Sequence, residues 1–176
     1  MVGDAARHAA AVSAAAGAGA PALPGAPGAP MARYAAARRA GDFVFVSGVV
    51  AVDAAAGHLV SGYADLPEEA RTALRGLGYV TGQLTVDLYE APAVAQSWAV
   101  LERIRRIAVE HGGDMASAVK LVQYFRDLRH YPFYARVRHL FYPGEPPAST
   151  VVEVSRFMPG DGALIEVEAT LHIPIR

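Results

Sequence analysis

The chain predicts an α+β domain, a mixed sheet with two helices packed on one of its faces, and three observations predict it. Ala163–Ile173 alternates strictly: Ile165, Val167, Ala169 and Leu171 fall on one face, and Leu164, Glu166, Glu168 and Thr170 on the other. That period of two marks a strand that buries one side and keeps carboxylates on the other. Gly41-Asp42 sits between two strand-like runs, Tyr34–Ala40 and Phe43–Ser47, and has the chemistry of a tight two-residue hairpin loop. Two further stretches carry apolar residues at helical spacing, and a pair of amphipathic helices with five or six strands is satisfied by placing both helices on one sheet face.

Taken in order, residues 1–30 are almost wholly Ala, Gly and Pro. Such a segment has little to bury and is expected to stay disordered or loosely helical, a low-complexity leader. Arg7 before an alanine run gives it a vague likeness to an export signal, but the run lacks Leu, Ile and Phe. Order is expected from about Met31, with residues 31–176 forming one domain. Phe43-Val44-Phe45-Val46 is apolar on both faces, as in a strand covered on both sides.

After a turn at Asp53–Gly57, residues 61–92 read as an excursion. Asp65-Leu66-Pro67-Glu68-Glu69 has the acids and early proline of a helix start, with Asp65 or a neighbour as cap. Gly76, Gly78 and Gly82 keep that helix short, and their spacing does not fit a dinucleotide-binding loop. Val94–Glu110 is the first long helix, with Val94, Trp98, Leu101, Ile104 and Ala108 as its apolar stripe, and His111-Gly112-Gly113 ends it. Val119–Phe125 is a strand. Asp127 then precedes a second helix with Phe133, Val137, Leu140 and Phe141 as the expected buried stripe, ended by Pro143-Gly144.

Thr150–Phe157 is rich in β-branched residues and is separated from Ala163–Ile173 by the turn cluster Pro159-Gly160-Asp161-Gly162. The two runs are therefore expected to pair as a terminal hairpin. Glu166 and Glu168 point the same way, so one of them is expected to hold its proton above the ordinary carboxylate range. A solvated sheet face would need no such role.

The string Pro147-Ala148-Ser149-Thr150-Val151-Val152-Glu153-Val154, followed by Ile165-Glu166-Val167-Glu168-Ala169, resembles the C-terminal signature of the Rid family, the reactive intermediate deaminases also called the YjgF family. That signature runs Pro-x-Arg-Ser, a strand, then a strand reading Glu-x-Glu-Ala. The likeness covers nearly everything from about residue 31 onward except the excursion. It implies a chorismate-mutase-like barrel fold in which three copies join their sheets and hold a site in each cleft between subunits. It also implies hydrolysis of reactive enamines and imines, with Glu166 as the acid/base. By the same likeness Tyr34 covers the substrate, and Ser47, Gly48, Ser149 and Thr150 line the site. For Tyr34 an ordinary half-buried strand tyrosine is the plain alternative.

One departure bears on chemistry. Where the family carries the arginine that grips a substrate carboxylate, this chain has Ser149. A serine donates one hydrogen bond and carries no charge, and the lost charged contact is worth roughly 2–5 kcal/mol. Arg33, Arg126, Arg129, Arg138 and Arg156 are available as substitutes. The expected function is thus a divergent Rid-type catalyst acting on a small enamine, imine or enolisable carbonyl compound by hydrolysis or tautomerisation. The alternatives are a non-catalytic trimeric binding module and a deaminase with a relocated arginine.

Composition narrows the partners. Of 176 residues, 53% are apolar and the net charge is −1, so no electrostatic footprint for nucleic acid is present. There is no cysteine, which removes thiol catalysis and zinc thiolate sites, and the six histidines show no ligand spacing. No metal, no cofactor, no membrane span and a cytoplasmic location are expected, with a small-molecule ligand and copies of the chain itself as partners.

Overall fold

In the computed structural model, residues 34–53, 56–158 and 160–175 are described; the expected leader, residues 1–30, lies outside them. The first hairpin forms as its turn chemistry predicts. β1 (Ala37–Ala40) pairs antiparallel with β2 (Phe43–Val50), Ala40 opposite Phe43, and Gly41 takes φ +57°, a left-handed conformation that suits glycine. A small two-stranded ribbon, β3 (Val52–Asp53) with β4 (His58–Leu59), follows.

Helix α1 (Glu68–Gly76) is short, as expected, and Pro67 rather than Asp65 stands at its N-cap. Asp65 instead accepts from the backbone N–H groups of Ser61 and Gly62, which closes the preceding turn. Helix α2 runs from Leu84 to Glu110, ten residues earlier than the stripe beginning at Val94 suggested. The early part escaped notice because Leu84, Val86, Leu88 and Tyr89 are exposed and Pro92 lies inside the helix. Without a one-sided apolar stripe, residues 84–90 carry no helical period to read. Residues 84–92 of the expected excursion are therefore the first part of the long helix. From Val94 on, the stripe is buried as read, with Trp98 half-buried.

β5 (Ala118–Phe125), α3 (Tyr131–Phe141) and β6 (Ala148–Glu153) make a strand–helix–strand crossover, with β6 parallel to β5. On α3 the buried residues are Tyr134 and Val137; Phe133 and Phe141 are half-buried and Leu140 is exposed, so the stripe is turned from the expected one. The final strand, β7 (Ile165–His172), does not pair with β6. The five-stranded order is β1-β2-β7-β5-β6, and the expected terminal hairpin is replaced by an insertion of β7 between β2 and β5.

The reason is burial. All six β6 residues are exposed, whereas Ile165, Val167, Ala169 and Leu171 are buried, so β7 gains most at the sheet centre and β6 is left at an edge. The described residues between β6 and β7, 154–158 and 160–164, carry the chain past the end of β5. Val154 donates to the Phe125 carbonyl and Arg126 to that of Leu164 along the way. Helices α2 and α3 pack on the sheet side formed by Val44, Val46, Leu121, Phe125, Ile165, Val167 and Leu171, and these residues with Leu101, Ile104 and Val137 form the core. Both helices thus lie on one sheet face, as expected.

Candidate functional site

Glu166 stands on the sheet side that the helices leave open. Its cross-strand neighbours are Tyr124 on β5 and Val50 on β2. Between Val46 and Val49 the β2 register shifts, so Ser47-Gly48 form a bulge beside the glutamate. A Cβ on Gly48 would overlap Oε1 of Glu166 and come within 2.8 Å of its Cδ. Glycine is needed here for space, since the carboxylate lies in the gap that a side chain would fill.

The start of β7 is fixed from the other side of the sheet. Gln96 on α2 is 1% exposed, yet all its polar capacity toward this region is used. Its Nε2 donates to the carbonyls of Val60 (3.0 Å) and Gly162 (2.8 Å), and its Oε1 accepts from Leu164 N at 2.8 Å. A buried amide satisfied three times over holds Gly162–Leu164 in one register, and with it the position of Glu166 two residues later.

Burial raises the proton affinity of Glu166 above the ordinary carboxylate range, and the negative charge of Glu168 adds to the effect. Glu168 accepts a hydrogen bond from the Tyr124 hydroxyl at 3.0 Å. Burial, first, and that acceptor, second, push the Tyr124 hydroxyl pKa upward. Of the two carboxylates, Glu166 is therefore the one whose charge is disfavoured and Glu168 the one with a donor.

The other sequence-predicted residues divide between the two faces. Ser47 donates from Oγ to the Ala35 carbonyl (2.7 Å) and from its backbone N–H to that of Ala36 (3.0 Å), which holds the segment following Tyr34 against the bulge. Tyr34 itself is 46% exposed. Thr150 stands opposite Val122, in the row that continues to Glu168, and accepts from Lys120 Nζ at 2.6 Å. Ser47, Gly48 and Glu166 thus gather at the bulge, with Thr150 farther along the open face, whereas the Tyr34 side chain interacts electrostatically with Arg103 on α2.

Ser149 is not with them. It stands opposite Leu121, whose side chain is in the core, so within one chain it lies on the reverse face from Glu166. There its hydroxyl donates to Gln123 Oε1 at 3.1 Å, and Arg138 on α3 reaches the same pair: Nη1 to Ser149 Oγ at 3.4 Å and to Gln123 Oε1 at 3.5 Å. Of the other arginines weighed as substitutes, Arg126 pairs with Asp161 and Arg129 with Asp127, while Arg33 lies outside the described residues. Sequence reading missed Gln96, Gln123 and Tyr124. Only the alternation of β5, with Lys120, Val122 and Tyr124 on one side and Leu121, Gln123 and Phe125 on the other, hinted at the last two.

Among the described residues no group of three or more His, Asp or Glu could hold a metal ion, and no helix is long and apolar enough to cross a membrane. A cavity of about 590 Å³ lies on the helical layer, lined by Trp98, Glu102, Met115, Leu140 and Phe141, away from Glu166.

Comparison with known proteins agrees with the fold. A structure from Klebsiella pneumoniae, solved as that of a candidate endoribonuclease, is 52% identical over 80% of this chain and all of that one, with a TM-score of 0.74. RidA from an Antarctic Psychrobacter shares the fold at 21% identity and a TM-score of 0.64, over 86% of this chain and 98% of its own. A RutC family protein of Pyrococcus abyssi is 29% identical over 79% of this chain and 85% of that protein. The family profile described as Endoribonuclease L-PSP matches residues 70–173, and the chain therefore belongs to that family, the Rid/YjgF family whose signature its last two strands resemble.

Proposed function

We propose that the protein is a divergent Rid-type enzyme that acts on a small reactive enamine, imine or enolisable carbonyl compound, with Glu166 as the acid/base. The observation that carries this reading is the Glu166 carboxylate itself, seated in the space above Gly48 with a raised proton affinity. A glutamate whose pKa is moved toward neutrality is suited to exchange protons during turnover.

In hydrolysis, Glu166 accepts a proton from water as its oxygen bonds to the C=N carbon and the C=N π electrons pass to nitrogen. That proton then goes to nitrogen to give the carbinolamine; Glu166 next takes the carbinolamine hydroxyl proton and delivers it to the amine as the C–N bond breaks, so that ammonia leaves and a carbonyl remains. In tautomerisation the same carboxylate carries a proton between carbon and nitrogen or oxygen. Tyr34 covers the ligand, and Ser47, Ser149 and Thr150 position it by hydrogen bonds.

The site on this reading is completed by another copy. Ser149 and Glu166 lie on opposite faces of one sheet and cannot meet in one chain. Two features of the single chain support assembly: Phe43 and Phe45 are 43% and 51% exposed on the open face, and β6 is an exposed edge. A homotrimer joined through these surfaces places a cleft between copies. The carboxylates of Glu166 and Glu168 repel phosphate, so an RNA substrate is disfavoured.

The test is turnover of a panel of small enamines, imines and enolisable carbonyl compounds, with loss of each followed directly. Wild type should accelerate at least one of them, Glu166→Gln should abolish the acceleration while ligand binding persists, and hydrolysis of 2-iminopropanoate at family-like rates would favour the deaminase with a relocated arginine instead. Full activity in Glu166→Gln would refute the assignment. Ligand binding with no turnover in wild type would leave a binding module.

A further inference from the structure

We propose that the groove between α2 and α3 is the docking site for this chain's own proline-rich stretch, residues 21–33, bound in the polyproline conformation. The groove lies on the helical layer, away from Glu166, so the inference is independent of the proposed reaction.

The stretch has a period of its own. Pro21, Pro24, Pro27 and Pro30 stand at every third position, and Arg33 continues the interval. A polyproline helix turns once in about three residues, so that spacing sets all these prolines along one edge. Leu23, beside Pro24, is the one large aliphatic residue between Val12 and Met31. Each proline fixes its own φ in advance, which lowers the cost of ordering the segment on binding. The polyproline conformation has no internal hydrogen bonds, so its carbonyls look for donors on the surface that receives them.

The groove offers what such a segment needs. It encloses about 590 Å³ and is floored by Trp98 and Phe141, whose rings meet edge to face at 5.1 Å, with exposed Val109 and Leu140 beside them. Aromatic-lined grooves are a recurring receptor for proline-rich segments. Among the described residues the indole N–H of Trp98 has no acceptor, which leaves it free to donate to a carbonyl of the segment. The rim is acidic: Glu69 and Asp114 make no ion pair among the described residues, while Arg105, its one cation, is held by Glu102. Residues 5–33 contain no acid and carry Arg7 and Arg33, so the charges are complementary.

The chain also arrives at the right helix. Tyr34, where the described residues begin, interacts electrostatically with Arg103 on α2, the neighbour of Glu102 in the groove lining. At about 3.1 Å per residue, the stretch from Pro21 to Arg33 extends roughly 37 Å, enough to round a helix about 10–12 Å thick and lie along the groove. The tether gives the segment a local concentration on the order of millimolar, so contacts too weak to hold a free peptide suffice here.

The test reads Trp98, the single tryptophan, by fluorescence of the full chain. The comparison is between wild type and a combined variant, Pro21→Gly, Leu23→Ser, Pro24→Gly and Pro27→Gly, which leaves every described residue unchanged. Emission of the variant should move to the red and be quenched more readily by acrylamide than that of wild type. A synthetic peptide of residues 19–33, added to the variant at millimolar concentration, should reverse both changes and saturate. A peptide of the same composition with its prolines off the three-residue interval should not. Equal emission and equal quenching in wild type and variant overturn the proposal, and saturable peptide binding to both would then assign the groove to a proline-rich partner instead. Shielding of Trp98 that falls away on dilution overturns it as well, since the segment of one molecule would then cover the groove of another. Reversal by the off-interval peptide would remove the polyproline conformation from the account and with it the proposal.

Discussion

The two faces of the five-stranded sheet follow different rules. The helix-covered face presents Val44, Leu121, Phe125, Ile165, Val167 and Leu171, all 0% exposed. The open face presents Phe43, Phe45, Glu166, Glu168, Lys120 and Thr150, a mixture of exposed aromatics and charged or polar groups. The first face is finished by packing within one chain over most of its area, its exposed β6 edge at Ser149 excepted. The second mixes surface suited to contact with groups suited to chemistry, and its raised carboxylate gains nothing for stability. The difference separates what folds the chain from what the fold is for.

The largest effect should come from the finished face. Ile165→Ala removes a fully buried side chain from the central strand and should cost about 2–5 kcal/mol, measured by denaturant unfolding. A loss below half a kilocalorie would mean that the core does not centre on β7. On the open face, Gly48→Ala should leave the melt nearly unchanged, because only the end of the Glu166 side chain obstructs the new methyl. Turnover should fall by about a hundredfold, the usual consequence of moving a reacting group by an ångström or so. Unfolding of Gly48→Ala, or unimpaired turnover, would break the division between the faces.

Phe45→Ser tests contact rather than chemistry. The residue is half exposed in the single chain, so its loss should barely change intrinsic stability, while sedimentation should show a shift from trimer toward smaller species. An unchanged trimer would remove the open face from the interface. The smallest effect is a matter of pH. Folding raises the Glu166 pKa, so the native state binds more protons than the unfolded chain between the ordinary carboxylate value, about 4.3, and the folded value. Stability at this group is therefore lost as pH rises through that window. Glu166→Gln should melt slightly above wild type at pH 7, and the gain should vanish below about pH 4. A lower melt at pH 7 would contradict the burial of the charge.

The helix-covered face was largely legible in the sequence. Alternation in 163–173 and the Gly41-Asp42 turn are local patterns, and local patterns survive folding. The placement of β7 was not legible, because the pairing of two strands across residues 154–164 depends on which of them has more to bury. The start of α2 was hidden for a related reason: Leu84, Leu88 and Tyr89 face outward, so no periodic stripe marks the helix there. At the candidate site, Glu166, Ser47 and Gly48 could be picked out through their family signature, and the structure adds the contact between the glycine and the glutamate. The meeting of Arg138, Gln123 and Ser149 spans three elements and leaves no trace in any single stretch of sequence.

The central claim is that Glu166 of one copy works with the Ser149 edge of another, and subunit mixing tests it most directly. Glu166→Gln and Ser149→Trp, the latter filling the cleft from the β6 edge, would be prepared separately, each expected to have little activity, then co-expressed or unfolded and refolded together. If the site lies between copies, random assembly restores about a quarter of wild-type activity, since an intact site needs one neighbour of each kind in the right order. No recovery in a mixture shown to contain both chains would contradict the claim and confine any site to a single chain.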